Sequence, residues 1–463
     1  MDGEQNSDGY RFTERIGDRL IGTDYFVARE NLDFYRRLAS KADLFGKLFS
    51  YSEVHDGDLE KLVEHHGSAP VWAFFDHYSR HDFLVTPLRA FREYGVLMRI
   101  IAGADVMAGK HRDIMTNGLA VPVPRTSEHR TKGNLADLET NLMLLAEHQK
   151  TVLAFRWKGR DYGQEQPMGE EFGLIMGILG SFNKLRAEYG SAVSEAFIYS
   201  GSIAYSRIVE DERFLSARTN QIKGNVEMTE STDEEMMIKD LLLQKKQMYI
   251  HLSDAFEVTD FVKANGLLKD DGAINARNAG KFLKDRIVAE ARKLRHPVPI
   301  QIVCEAARRA LRRKWIELTD ELLSDRQLSF VLDESTLYSN ISEVRDDLIS
   351  RKELQYRDFF ERDGLPIPPH EIMHEAMPYL FQDRPTIAGS LLASAAYIYR
   401  ALTRPEKTRS RAKHLDTIIR YANQSEPLRD IMFETRRNQR PVVEIHNPGV
   451  VLYYSRLLGR MMV

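Results

Sequence analysis

Cysteine, long apolar runs and a leader-like N-terminus are all missing from this sequence. Cys304 is the one cysteine in 463 residues, which excludes an internal disulfide framework and a cysteine-rich zinc site. No apolar run approaches the roughly 18 residues that a membrane-spanning helix needs. The first ten residues are polar and acidic, unlike a signal peptide. We therefore expect an intracellular protein, cytoplasmic or nuclear, that has no membrane span.

An excess of charge and the common enzyme motifs are missing as well. The 65 Lys and Arg residues nearly balance the 68 Asp and Glu residues, so the formal charge is −3 and the whole chain is not a polycation. The motifs G-x-G-x-x-G and G-x-S-x-G, which bind dinucleotides and present a nucleophilic serine, do not occur. From these absences we predict a protein that is not an enzyme and needs no cofactor.

What the sequence does contain is apolar spacing typical of helices. This spacing recurs over residues 11–50, 83–108, 169–189 and 192–208, and over much of the chain beyond 234. Residues 151–157 are the best strand candidate and predict at most one small β-hairpin. We interpret the acidic stretch 225–236 as a linker between an N-terminal helical lobe (1–224) and a C-terminal helical lobe with a basic surface (237–463). The sequence thus predicts a mostly α fold of two helical lobes.

The predicted helix 299–322 carries the densest cluster of positive charge. Outside its apolar stripe lie four arginines in two i, i+4 pairs, namely Arg308, Arg309, Arg312 and Arg313. Four guanidinium groups repel one another unless acids or phosphates neutralise them, and Glu305 and Glu317 offset only part of the charge. Because guanidinium groups bind phosphate in a bidentate manner, this face is a candidate nucleic-acid contact. An ordinary solvated face is the alternative.

Two further basic segments support the same interpretation. Residues 384–463 contain 14 basic and 6 acidic residues, a net charge of +8. The candidate contacts in this region are Arg404, Arg409, Arg411 and Lys413. Near the strand candidate, Arg156, Trp157 and Lys158 place an aromatic ring between cations, a combination that suits base stacking on single strands. A core position for Trp157 is the alternative.

One metal-binding motif is present, in the string from His370 to His374. Two histidines four residues apart share one helix face and can chelate zinc, with Glu371 as general base. Nearby prolines oppose this interpretation, because Pro369 places His370 at the start of the helix and Pro378 limits the helix to about two turns. We therefore predict no metal and keep a zinc-dependent hydrolase as an alternative.

A second histidine pair, His77 and His81, also has i, i+4 spacing. Asp76 and Asp82 flank the pair and could orient the imidazole rings. We interpret these four residues as polar groups that pair locally on a helix.

The last sixteen residues, 448–463, are mostly apolar and cover more than one face of a helix. They predict a buried terminus, packed either into its own lobe or into a neighbouring subunit of a homo-oligomer.

Together these observations lead to one main hypothesis and two alternatives. The main hypothesis is a self-assembling, nucleoprotein-like protein of viral or virus-like type. It would grip single-stranded nucleic acid, expected to be RNA, through an Arg-rich helical surface. The alternatives are the zinc-dependent hydrolase and a helical scaffold or capsid protein that binds only protein.

Overall fold

The structure, a computed structural model, contains far more β-sheet than the sequence predicts. The residues that it describes are 36, 51–79, 82–103, 120–123, 132–156, 172–190, 193, 195–208, 246–319, 330–351, 357–362, 365–380, 433–436, 442–445 and 448–462. Of these, 55% are helical and 22% are strand. This is an α/β fold, so the predicted mostly α, or all-α, fold of two helical lobes with one hairpin is wrong.

The centre of the fold is a mixed sheet of eight strands. In chain order they are β1 (Tyr51–His55), β2 (Val71–Phe75), β3 (Met98–Gly103), β4 (Val121–Val123), β5 (Thr151–Phe155), β6 (Phe197–Tyr205), β7 (Lys246–Leu252) and β8 (Phe256–Glu257). Their spatial order is β1-β7-β6-β2-β5-β3-β4, with β8 beside β6. Strands β6, β2, β5, β3 and β4 are parallel, whereas β7 is antiparallel to β6 and parallel to β1. We call the edge where β2, β3, β5 and β6 end the carboxyl edge, and the opposite edge the amino edge.

The parallel strands β2, β3 and β6 escaped prediction because they are buried on both faces. Every residue of Val71–Phe75 and of Met98–Gly103 is buried. Such strands are continuous apolar runs without polar alternation, and periodicity alone does not distinguish them from buried helix. The segment 192–208, predicted as helix, contains β6. The predicted strand at 151–157 is confirmed as β5, but it pairs with the parallel strands β2 and β3 rather than in a hairpin.

Helices cover both faces of this sheet. A 3₁₀ helix spans Gly57–Glu64, and the α-helices are α1 (Asp82–Tyr94), α2 (Lys132–Glu147), α3 (Phe172–Tyr189), α4 (Val258–Ala264), α5 (Ala276–Lys293), α6 (Pro299–Arg313), α7 (Glu334–Ile349), α8 (Arg357–Phe360), α9 (Pro369–Leu380) and α10 (Pro448–Met462). On β2, Ala73 and Phe75 pack into an apolar core with α6 and α10. Trp72 and Phe74 point to the other face, where α2, α3 and α5 complete a second core. The result is a three-layer α/β/α arrangement.

The predicted helix around residues 299–322 is confirmed in its first part. It spans Pro299–Arg313, and its apolar stripe is buried, including Cys304. Helices α7, α9 and α10 surround it. Beside this group lies a three-stranded sheet in the order β12 (Phe433–Arg436), β13 (Val442–Ile445) and β9 (Phe330–Asp333). A two-stranded hairpin is formed by β10 (Glu361–Arg362) and β11 (Leu365–Pro366).

The C-terminal helix is buried within its own chain. Helix α10 packs along α6, and the Ile208 amide donates a 3.0 Å hydrogen bond to Tyr454 Oη. The prediction of a buried terminus is confirmed, and its own chain provides the cover.

The predicted linker at 225–236 lies outside the described residues. Strands from either side of it, β6 and β7, are neighbours in the central sheet. The domain boundary therefore stays a prediction. Among the helices of the described residues, none is long and apolar enough to cross a membrane.

Candidate functional site

Polar side chains converge at the carboxyl edge, where neighbouring strands end. Asp76 follows β2 directly, Arg156 follows β5, and Ser202 and Tyr205 lie on the part of β6 that extends past β2. In open α/β sheets, ligands bind outside the carboxyl ends of the parallel strands. This edge is therefore the expected position of a functional site.

Asp76 and Arg156 form a buried ion pair at this edge. Their side chains are 0% and 2% exposed, and an Arg156 Nη2–H donates to Asp76 Oδ1. The Ser202 hydroxyl donates to the other carboxylate oxygen of Asp76 at 3.1 Å. Because two buried charges are tolerated only when each is paired and hydrogen-bonded, this ion pair locks β2 to β5 at their carboxyl ends.

Asp82 organises the chain that leaves β2. Its buried carboxylate accepts hydrogen bonds through Oδ2 from the amides of Tyr78 (2.7 Å) and Ser79 (2.9 Å). The Tyr205 hydroxyl donates to Oδ1. Asp82 is also the first residue of α1, and a carboxylate is favoured at a helix N-terminus. These contacts hold the backbone at Tyr78 and Ser79, and the Tyr205 side chain of β6, around one carboxylate.

The same carboxylate orients an imidazole. His77 Nδ1 lies 2.9 Å from Asp82 Oδ2, and the ring stacks on Phe155 with 4.3 Å between centroids. The His77 side chain is 12% exposed, whereas Asp82 is fully buried. A proton on Nδ1 that is donated to the carboxylate leaves Nε2 as the basic nitrogen. The arrangement is an oriented acid–base group at the edge where α/β sheets bind ligands.

A glycine allows the strands to approach each other here. A Cβ atom on Gly201 would overlap the ring of Phe75, so a larger residue would force β6 away from β2. The close approach brings Ser202 and Tyr205 within reach of the two aspartates.

The sequence interpretation found part of this site. It paired His77 with flanking acids, and Asp82 is indeed its partner, but the helix starts at Asp82 rather than including His77. Arg156, a predicted nucleic-acid contact, lies in the buried ion pair. Ser202 and Tyr205 were missed. The signal that could have found the site is the polar residue that directly follows each buried apolar run.

The predicted basic face of α6 is largely neutralised within the chain. Glu305 is 3% exposed and accepts from Arg308 Nε at 2.8 Å and from Arg309 Nε at 2.9 Å. Burial raises the pKa of Glu305, but hydrogen bonds from Arg308 and Ser455 outweigh it and hold the pKa below its usual value. Helix α7 adds two acids, Asp347 at 2.6 Å from Arg309 and Glu343 at 2.5 Å from Arg313. Arg312 is exposed.

Several predicted contacts have no described placement. Trp157, Lys158, Arg404, Arg409, Arg411 and Lys413 lie outside the described residues.

The HExxH string lies on α9, which continues through Pro378 to Leu380. His370 and His374 are exposed, and Glu371 accepts from Arg362 at 3.0 Å. Within the described residues, no three His, Cys, Asp or Glu side chains are grouped so that they could hold a metal ion.

A second aspartate–histidine pair, which we call the β7 pair, is formed by Asp58 and by His251 of β7, which lies opposite Ser202 of β6. His251 Nδ1 is 3.2 Å from Asp58 Oδ2, and His251 Nε2 is 3.2 Å from His296 Nδ1. The His296 ring stacks on Tyr249 with 3.8 Å between centroids. Burial, aided by the imidazoles of His251 and His55, lowers the pKa of His296 to about 3.

An open pocket of about 470 Å³ adjoins this cluster. Its walls include Phe197 and Tyr199 as well as four acids, Glu64, Asp254, Glu257 and Asp260. Burial, with added repulsion from Glu195 and Asp260, raises the pKa of Glu257. We assign this pocket no ligand.

No protein-family model matches the chain, and no curated protein matches it either. The function must therefore be argued from the site itself.

Proposed function

We propose that this protein is an enzyme whose acid–base group is His77, held by Asp82 at the carboxyl edge of the central sheet. This departs from the expectation of a protein that is not an enzyme. The observation that carries the proposal is the 2.9 Å contact between His77 Nδ1 and a buried carboxylate that three other donors also hold in place. A histidine oriented in this way is the usual form of a general base in proteins.

We propose hydrolysis of an ester as the reaction class, because a histidine base can activate a water molecule for attack. Nε2 of His77 would take a proton from an attacking water molecule and return it to the leaving alcohol. Asp82 would fix the tautomer and stabilise the imidazolium that forms. The Asp76–Arg156 ion pair lies beside this group and serves as a rigid support rather than as a substrate contact, because both of its side chains are buried.

The test uses the full chain and a panel of chromogenic carboxylic and phosphate esters. We expect one class to be cleaved, and we expect His77→Gln to lower the rate by roughly 10²–10⁴-fold, the usual contribution of a general base. His374→Gln removes an exposed histidine from α9 and should leave the rate unchanged. Cleavage by His77→Gln at the wild-type rate would refute the assignment. Failure of every ester would refute the reaction class.

We also propose a second, narrower candidate, single-stranded nucleic-acid binding. Arg308, Arg309 and Arg313 have acidic partners within the chain. The surface that supports nucleic-acid binding is therefore limited to the exposed end of α6. There Arg312 and Lys314 are exposed beside Trp315, which is 97% exposed. Nothing in the described residues favours a virus-like assembly, and we do not retain it. An intracellular location belongs to both proposals.

The test of this second candidate is the salt dependence of binding. Affinity for a single-stranded oligonucleotide should fall steeply as salt rises, because phosphate contacts release counterions. Arg312→Ala should weaken binding to every sequence alike and make the salt dependence shallower by about one unit. A wild-type chain that binds no polynucleotide at low salt would exclude the candidate.

Self-association also stays a proposal. Since α10 is buried in its own chain, an oligomer does not require exchange of the C-terminal helix between subunits. Light scattering of the purified chain would give the mass directly, and a monomer at all concentrations would refute self-association.

A further inference from the structure

Two tryptophans of the described residues have opposite environments. Trp72 is 1% exposed within β2, whereas Trp315, just after α6, is 97% exposed. A large aromatic side chain is seldom left in water, because its burial is the strongest contribution that a single residue makes to a core or an interface. The exposure of Trp315 is therefore unusual for a side chain of this type.

The backbone conformation at Trp315 is also unusual for tryptophan. Its φ is +62°, in the left-handed region that glycine or asparagine usually occupies. The Trp315 amide donates to the Arg312 carbonyl at 2.9 Å, and the Ile316 amide donates to the Leu311 carbonyl at 3.0 Å. This pair of hydrogen bonds is the Schellman motif that ends many helices, and its left-handed position normally holds glycine.

The turn uses only the backbone of Trp315. Ile316 and Leu311 supply the apolar contact of the motif, since both belong to the core that surrounds α6. Glycine at position 315 would make the same two hydrogen bonds without strain. The indole therefore contributes nothing to this helix end, and its presence at a strained position points to a contact outside the chain.

The surroundings of the indole indicate the chemistry of that contact. Arg312, Arg313 and Lys314 precede it, and all three are exposed. Arg313 contacts Glu343 at 2.5 Å, and Lys314 Nζ donates to the Val331 carbonyl at 3.3 Å. The Glu343 carboxylate offsets the charge of Arg313, whereas the neutral Val331 carbonyl leaves the charge of Lys314 in place, one residue before Trp315. We call Arg312, Lys314 and Trp315 the helix-end patch.

We infer that the helix-end patch binds one nucleotide of a single strand, with the base stacked on the Trp315 indole and the adjoining phosphates on Arg312 and Lys314. An aromatic ring flanked by cations is the combination that proteins use to bind single strands without sequence preference. A duplex hides the faces of its bases and cannot stack in this way. The inference rests on the second candidate function and adds to it the strand form and the stacking residue.

The glycine variant provides a sharp test, because Trp315→Gly should fold at least as stably as the wild type. The probes are a fluorescently labelled oligothymidine and a duplex of the same length, each titrated with the full chain. We expect Trp315→Gly to weaken single-strand binding by about ten- to a hundredfold, the usual loss for one stacked base, and to leave duplex binding unchanged. Trp315→Phe should restore part of the affinity.

Two controls separate stacking from other effects. Phe282→Ala removes a side chain of α5 that is 50% exposed, and it should change neither binding constant. Arg312→Ala should weaken single-strand and duplex binding together, because it removes a phosphate contact.

The measurements distinguish a failure of base stacking on Trp315 from a failure of nucleic-acid binding as a whole. If the wild type binds single strands and Trp315→Gly binds them equally well, the stacking inference is wrong and nucleic-acid binding stands. If the wild type binds no polynucleotide, both are wrong. If instead Trp315→Gly abolishes self-association measured by light scattering while single-strand affinity is unchanged, the patch is a protein contact and the inference is refuted.

Discussion

Two aspartate–histidine pairs of the central sheet have different surroundings. At the carboxyl edge, Asp82 is 0% exposed and lies 2.9 Å from His77. In the β7 pair, Asp58 is 33% exposed and lies 3.2 Å from His251. Burial raises the pKa of Asp58, but hydrogen bonds from His251 and Lys61 outweigh it and keep the pKa below its usual value.

The difference shows that burial, rather than residue identity, determines how firmly an aspartate–histidine pair is held in place. Water screens the charge of a partly exposed carboxylate and lets its side chain move, so its contacts contribute little to the free energy of unfolding. A fully buried carboxylate needs all its donors, and it therefore holds each of them in a fixed place. The carboxyl-edge pair is preorganised, and the β7 pair is not.

The largest effect expected from this comparison is on catalysis. His77→Gln should lower the rate of ester hydrolysis by roughly 10²–10⁴-fold, whereas His251→Gln, the matched variant in the β7 pair, should change it by less than about threefold. Steady-state rates of both variants provide the measurement. An equal loss in the two variants would show that the carboxyl edge has no special role.

The next effect concerns stability at the carboxyl edge. Asp76→Asn leaves the buried guanidinium of Arg156 without its counter-charge, which should cost about 3–5 kcal/mol of the free energy of unfolding. Urea denaturation followed by circular dichroism measures this cost. A loss below about 1 kcal/mol would mean that the ion pair is not buried as described.

A smaller effect should appear as a pH dependence that arises at His296, next to the β7 pair. The pKa of His296 is about 3 in the folded chain and about 6.5 when exposed, so between these values the unfolded chain binds more protons. Stability from this group is therefore present above pH 6.5 and is lost as the pH falls. The loss should be about 1.5 kcal/mol between pH 6.5 and 5.

His296→Phe tests this prediction, because it keeps an aromatic ring against Tyr249 and Phe359 but cannot titrate. Urea denaturation at the two pH values should show a shallower loss in this variant than in the wild type. Identical losses would assign the pH dependence to other groups.

The smallest effect is expected for the exposed charges beside the β7 pair. Lys61 lies 3.3 Å from both Asp58 and Asp254, and its side chain is 38% exposed. Lys61→Met should change the free energy of unfolding by no more than about 1 kcal/mol, the usual range for exposed ion pairs. A loss as large as that of Asp76→Asn would remove the contrast between the buried and the partly exposed pair.

The candidate site was only partly predictable because its contacts are long-range. The His77–Asp82 pair spans five residues, and the sequence indicates it through the proximity of the two side chains. Asp76 and Arg156 are 80 residues apart, and Tyr205 is 123 residues from Asp82. No local pattern connects such residues, because a parallel sheet brings them together only after several crossovers.

The sequence by itself determined the features that depend on local spacing and composition. The amphipathic helices α5, α6 and α10 follow from apolar residues that recur with the helical period, and the burial of Cys304 follows from its place on the α6 stripe. The central sheet was decided by tertiary structure, because a strand buried on both faces has no periodic pattern of its own. Tertiary structure likewise decided the charge of the α6 face, since Glu343 and Asp347 neutralise it from another helix, 30 and 38 residues away. Local patterns thus determined which segments are helical, and contacts between distant segments decided which charged groups remain available for function.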